Sequence, residues 1–361
     1  MNGPARPADG AAGGGPDLPD DRLAVVFGCA GTALSDDECR FFRRVRPLGF
    51  ILFARNCAEP AQVAALVADM RAAVGDPFVP VLIDQEGGRV ERLKPPHWRH
   101  APPASAFGQL FERDAAAATE AAHLNARLIA ADLDALGITV DCAPVLDLLL
   151  PETHRAIGDR AFAARPERVA ALGAAVRAGL EAGGVTPVIK HLPGHGRATV
   201  DSHADLPRIA VPRATLENDD FAPFRALRNC PWGIVGHLLI EAIDPDRPAS
   251  LSPAVIDEAI RGAIGFDGVL ATDDINMGAL GGDLGWRTRA LLDAGCDVVL
   301  HCNGDLDQMH VVAAAAGRLT AAARMRLLQA ERRRLTIPRS PLDREHALAR
   351  LEDLLGEAGK T

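Results

Sequence analysis

The stretch Gly268-Val269-Leu270-Ala271-Thr272-Asp273-Asp274-Ile275-Asn276-Met277 holds the pattern that decides the fold: a short apolar run that ends abruptly in two adjacent carboxylates. A continuous run of this length reads as a strand covered on both faces. Similar runs recur at Leu23 to Phe27, Phe50 to Phe53, Val79 to Ile83, Ile138 to Cys142, Val185 to Ile189, Ile234 to Val235 and Val298 to Leu300. Between them lie Ala-rich segments of helical period, among them Pro60 to Val74, Asp114 to Leu136, Pro166 to Ala182, Thr215 to Leu227 and Ser252 to Ile264. Strand then helix, eight times, predicts an α/β chain whose parallel sheet closes as a single (β/α)8 TIM-like barrel over residues 22–336. An open doubly wound sheet is the alternative. No GxGxxG follows the first run, and Gly28 and Gly31 fit no phosphate-binding spacing, so dinucleotide binding has little support.

Composition narrows the class. Of 361 residues, 48% are hydrophobic and 24% charged, enough apolar material for one large core. The net charge of -9 would repel phosphate backbones and anionic membrane surfaces, so neither nucleic acid nor membrane is an expected partner. The cysteines, at 29, 39, 57, 142, 230, 296 and 302, stand singly, as in a reducing compartment. No run approaches the roughly 18 apolar residues of a membrane span, and the N-terminus lacks a secretory pattern, so a cytoplasmic protein is expected; a monomer is the expected state. Met1 to Asp21, almost all Gly, Pro, Ala and Asp, is expected to form a disordered tail. Residues 337–361 are expected to form a C-terminal helical extension packed on the barrel or partly mobile, with Asp343 to Ala358 as one helix.

The chemically loaded residues follow the strands. Asp84 ends the third run, Asp147 comes just after the fourth, Lys190 and His191 end the fifth, His237 the sixth and Asp273 the seventh. In (β/α)8 barrels the catalytic face is the one at the strands' C-terminal ends. The densest stretch is Lys190-His191-Leu192-Pro193-Gly194-His195-Gly196, followed by Asp201-Ser202-His203. His191 and His195 have a helical metal-ligand spacing, but Pro193, Gly194 and Gly196 argue against a helix there, and no metal is expected. The loop can instead bring Lys190, His191 and His203 toward one point, with Asp201 orienting the His203 imidazole; a solvated loop with a Lys/Asp ion pair is the plainer reading. The two carboxylates of Asp273-Asp274 include one that is free to serve as a helix cap, whereas the other suits the positive charge of a sugar oxocarbenium ion. Asp84-Gln85-Glu86-Gly87-Gly88-Arg89-Val90-Glu91-Arg92 combines an acid, a glycine turn and two arginines, groups that bind vicinal hydroxyls or form surface ion pairs. Ile157-Gly158-Asp159-Arg160-Ala161-Phe162 places Arg160 beside a glycine turn.

Together these segments, with Gly49-Phe50-Ile51-Leu52-Phe53-Ala54-Arg55-Asn56, resemble the β-N-acetylglucosaminidases of glycoside hydrolase family 3, bacterial enzymes of peptidoglycan recycling. Six motifs stand in the family's order between Leu23 and Leu300; Leu192 and Ile275 replace the usual phenylalanine and leucine. The resemblance implies a (β/α)8 barrel, Asp273 as nucleophile, His203 as general acid/base with Asp201 as its partner, and Asp84, Arg92, Arg160, Lys190 and His191 as the residues that bind N-acetylglucosamine. It implies no cofactor and a small carbohydrate substrate, a muropeptide or other N-acetylglucosaminide. Many β-glucosidases of the wider family take their acid/base from a glutamate outside the barrel, and a histidine on a barrel loop fills that place here. A phosphorylase on the same scaffold, in which a neutral imidazole tolerates incoming phosphate, is the nearest rival. A sugar-binding barrel without turnover is the other.

Overall fold

In a computed structural model, residues 18–202 and 205–356 are described. Eight parallel strands close into a barrel: β1 (Leu23–Phe27), β2 (Pro47–Leu52), β3 (Val81–Ile83), β4 (Val140–Asp141), β5 (Thr186–Leu192), β6 (Trp232–Val235), β7 (Val269–Asp274) and β8 (Val298–His301). Each strand pairs with its neighbours in sequence, and β1 closes the ring on β8 through Val25↔Val299 and Phe27↔His301. Alternation decides which side chain goes where. Ala24, Val26, Ile234, Val269 and Ala271 belong to the cluster that fills the barrel, whereas Val25, Phe27, Val235 and Leu270 face the surrounding helices.

Helix boundaries follow local chemistry. Pro60 and Pro166 occupy the first positions of Pro60–Val74 and Pro166–Ala182, where a missing N–H costs nothing. Asp114 caps Ala115–Ala135 by accepting from the backbone N–H groups of Ala116 and Ala117. The helix expected over Thr215 to Leu227 is composite: a turn at Arg213–Thr215, a π segment at Leu216–Asp220 and an α segment at Phe221–Ala226. Val255–Ile264 is likewise a π segment.

The last two helices extend the core. In Ala321–Thr336, Ala323, Leu327 and Ala330 join the cluster inside the barrel and cover its N-terminal mouth. In Arg344–Leu355, Ala347, Leu351 and Leu355 join the cluster of Phe107 and Leu110. Of the N-terminal stretch, Leu18 packs beside that interior cluster, Asp20 pairs with Arg324 and Asp21 with Arg46, while residues 1–17 lie outside the described residues, as do 357–361. Among the described residues no helix is long and apolar enough to cross a membrane.

Candidate active site

A cleft of about 1060 Å³ opens at the C-terminal ends of the strands. Asp84, Arg92, Arg160, Lys190, His191, Asp201 and Asp273 all line it. His203 lies outside the described residues. Lys190 and His191 are successive strand residues, which regular pleating sends to opposite faces. The ladder between β5 and β6 shifts register between Ile189 and Leu192, and both side chains reach the cleft. A similar shift opposite the end of β7, between Val298 and Leu300, accompanies the arrival of Asp273 and Asp274 together.

The floor is a charge network. Lys190 Nζ donates to Asp84 Oδ1 at 2.7 Å and to Glu86 Oε1 at 2.6 Å. Arg160 grips Glu86 with two parallel bonds of 2.8 Å, and Arg92 Nη2 donates to Asp84 Oδ2 at 3.1 Å. Burial alone would raise Asp84, but Lys190 and Arg92 hold its carboxyl far below the usual range. Glu86 is drawn down to about 2, burial again being outweighed by Arg160 and Lys190. Burial would likewise lower Lys190, yet Asp84 and Glu86 keep it above the ordinary lysine value, so it stays protonated. Two carboxylates, Asp84 and Glu86, thus face three cations, Arg92, Arg160 and Lys190, and one positive charge is left over. The plainer reading of a Lys/Asp pair within a solvated loop does not apply, because Lys190 is buried and its acids come from the segment after β3.

Asp147 organises the histidines. Its Oδ2 lies 2.6 Å from His191 Nδ1, and its Oδ1 accepts from the backbone N–H of His195 at 2.7 Å. Burial would raise its carboxyl, but His191 keeps it low, so the imidazole has an ionised partner that fixes its ring. The His191 Nε2 edge then sits 3.4 Å from Arg160 Nη2. His195 is pushed down to about 4 by burial and stays neutral. His237 turns behind β7, with Nδ1 2.7 Å from Ser250 Oγ.

Asp273 stands partly buried at the head of β7, and its Oδ1 accepts from the backbone N–H of Asp274 at 2.9 Å. Burial pushes its carboxyl up, but His191, His237 and Lys190 outweigh this and hold it below the usual range. An ionised carboxylate is what attack on an electrophilic carbon needs. Asp274 is occupied elsewhere: its Oδ1 accepts from the N–H groups of Asn276 at 3.2 Å and Cys302 at 3.3 Å. Among the described residues no group of three or more His, Cys, Asp or Glu side chains is arranged to hold a metal ion.

Sequence reasoning missed Glu86 and His195 as parts of the site and left Asp147 without a role. For Asp147 the signal was present, since it follows a strand as the other site residues do. Arg89, quoted beside Arg92, reaches the cleft rim but bonds Asp159 at 2.8 Å.

Residues 44–337 match the model of the glycosyl hydrolase family 3 N-terminal domain. The chain is 40% identical over 283 residues to a β-hexosaminidase of Alkalilimnicola ehrlichii, covering 77% of this chain and 80% of that protein. It is 38% identical over 309 residues to a β-hexosaminidase of Xylella fastidiosa strain M23, covering 84% of this chain and 90% of that protein. Among solved structures, a family 3 β-N-acetylglucosaminidase from Paenibacillus sp. FPU-7 superposes with a TM-score of 0.82 at 30% identity, over 93% of this chain and 67% of that one. NagZ from Neisseria gonorrhoeae, solved with N-trifluoroacetyl-D-glucosamine, superposes with a TM-score of 0.80 at 30% identity, over 94% of this chain and 98% of that one. With the barrel, the cleft at its C-terminal face and these matches in agreement, the chain belongs to glycoside hydrolase family 3 and is a glycoside hydrolase.

Proposed function

We propose that the protein is a retaining exo-β-N-acetylglucosaminidase that removes non-reducing terminal N-acetylglucosamine from muropeptides of the N-acetylglucosaminyl-anhydromuramoyl type, in cytoplasmic peptidoglycan recycling. The observation that carries this reading is a partly buried, ionised Asp273 in the same cleft as Asp84, Arg92, Arg160, Lys190 and His191, a donor and acceptor set suited to the hydroxyl and acetamido groups of one sugar ring. The names of the relatives point the same way. Asp273 Oδ attacks the anomeric carbon as the bond to the leaving oxygen breaks, and His203 gives that oxygen its proton. Water then attacks the glycosyl-enzyme, returns a proton to His203 and frees Asp273. Asp201, which lines the cleft, supports the imidazolium.

Hydrolysis of an aryl N-acetyl-β-glucosaminide by wild type, lost in Asp273→Ala and partly restored by azide with inverted configuration, is the expected result. Equal loss in Asp274→Ala with none in Asp273→Ala overturns the assignment. A glycosyl phosphate formed in phosphate buffer in place of the free sugar marks a phosphorylase instead.

A further inference from the structure

The segment that carries Asp201 to the cleft leaves β5 at Leu192 and runs through Pro193 and two glycines. Between His191 and Val200 it has a single Asp, Glu, Lys or Arg, which is Arg197. Arg197 is absent from the cleft lining. Its guanidinium turns to the π segment Leu216–Asp220: Nε donates to Asp220 Oδ2 at 2.6 Å, Nη2 donates to Asp219 Oδ2 at 2.9 Å, and Nη1 lies 3.9 Å from Glu152 Oε1. Successive helical residues do not share a face. Here the guanidinium reaches both by giving a different nitrogen to each. The Asp220 side chain is only 1% exposed, and a buried carboxylate is costly to hold unless a cation pairs with it.

The rest of the segment is built around this grip. Gly194, at φ 137°, brings its backbone against Asp220, where an added Cβ would lie 3.0 Å from the Asp220 Cβ. Thr153 Oγ1 donates to the Gly196 carbonyl at 2.6 Å, and the His154 N–H donates to the Ala198 carbonyl at 2.9 Å. Beyond Asp201, the Ser202 carbonyl accepts from the N–H of Ala279, in the loop that follows the Asp273 strand. Arg197 is thus the charged link between the barrel's outer helix and a segment whose far end meets the nucleophile's loop.

We propose that Arg197 is a positioning residue for proton transfer: held by Asp219 and Asp220, it fixes where Asp201 stands over the cleft without touching substrate. This rests on Asp201 belonging to the acid/base pair. A displaced proton donor slows departure of a poor leaving group and matters little for one that needs no proton. The test is kcat/KM, which reports the first bond-breaking step, across aryl N-acetyl-β-glucosaminides from 2,4-dinitrophenyl to unactivated phenyl, with melting temperature measured alongside. Arg197→Ala should lose about tenfold or more on the phenyl substrate while keeping most of its rate on the dinitrophenyl one. Arg197→Lys, which keeps the charge but not the two-armed grip, should fall between. If Arg197→Ala does not fold, Asp219→Ala, which removes one arm at a half-exposed position, should show the same leaving-group dependence in smaller degree. Equal loss on every leaving group, or no loss, overturns the proposal. Wild type inactive on every aryl substrate would instead overturn the glucosaminidase reading itself.

Discussion

At the scale of single residues, Glu86 shows how three acids within eight positions are sorted. Asp84, Glu86 and Glu91 stand in one glycine-containing stretch, and spacing alone does not say which turns into the barrel. The turn at Gly87, where an added Cβ would meet the Pro102 carbonyl at 2.4 Å, sends Glu86 inward to Arg160 and Lys190. Glu91 instead faces His100 and the Ala101 N–H. Glu86 therefore aims two of the groups proposed to hold the sugar. Glu86→Gln keeps the shape but removes the charge that orients both cations. Its expected effect is a rise in KM of roughly tenfold, about 1.4 kcal/mol of binding, with a smaller change in kcat. Initial rates on an aryl N-acetyl-β-glucosaminide measure it, and an unchanged KM would show that Arg160 and Lys190 need no such partner.

The Pro193 to Ser202 segment is the element on which the proposed chemistry depends most. Its proline and two glycines mark it in sequence as a shaped loop, but its neighbours come from elements far apart in the chain. Gly196 has no room for a side chain, since an added Cβ would fall 2.4 Å from the Leu148 carbonyl oxygen and 2.7 Å from its nitrogen. Both are backbone atoms and cannot swing aside. Gly196→Ala should lower kcat by about tenfold or more by lifting the segment from the strand-β4 loop. Measured beside its melting temperature, full activity in this variant would mean that the segment tolerates displacement. The π segments at Leu216–Asp220 and Val255–Ile264 were beyond reach for a related reason: apolar periodicity marks a buried helical stripe, and one widened turn changes that stripe too little to register.

For the whole molecule, two buried groups give the pH dependence of stability opposite signs. His195, at about 4 when folded against 6.5, binds fewer protons folded than unfolded, so its contribution is present above pH 6.5 and is lost as the pH falls toward 4. Asp220 is raised to about 6 from 3.8, burial outweighing Arg197, so its contribution is present below pH 3.8 and is lost as the pH rises toward 6. Urea unfolding at pH 7 and pH 4.5 separates them. In His195→Gln the stability lost on acidification should be smaller than in wild type by roughly 2–3 kcal/mol, and in Asp220→Asn it should be larger by roughly 2 kcal/mol. Identical acid losses in all three proteins would mean that neither group titrates with folding.

The barrel was legible in the sequence because strands buried on both faces must be continuously apolar and helices on the outside must be amphipathic, and both patterns are local. The positions of Asp84, Lys190, His191 and Asp273 at strand ends were legible for the same reason: polar side chains are excluded from the runs and gather where the runs stop. What only the tertiary structure decided is the pairing among them. Lys190 reaches Asp84 across 106 residues of chain and pairs with Glu86 beside it, and Asp147 holds His191 across 44, because ring closure brings separate strand ends to one mouth. The electrostatic state of Asp273 follows from that closure as well. Its carboxyl is low because His191, His237 and Lys190, each delivered by another strand or its loop, outweigh the cost of its burial, a balance that no local pattern encodes.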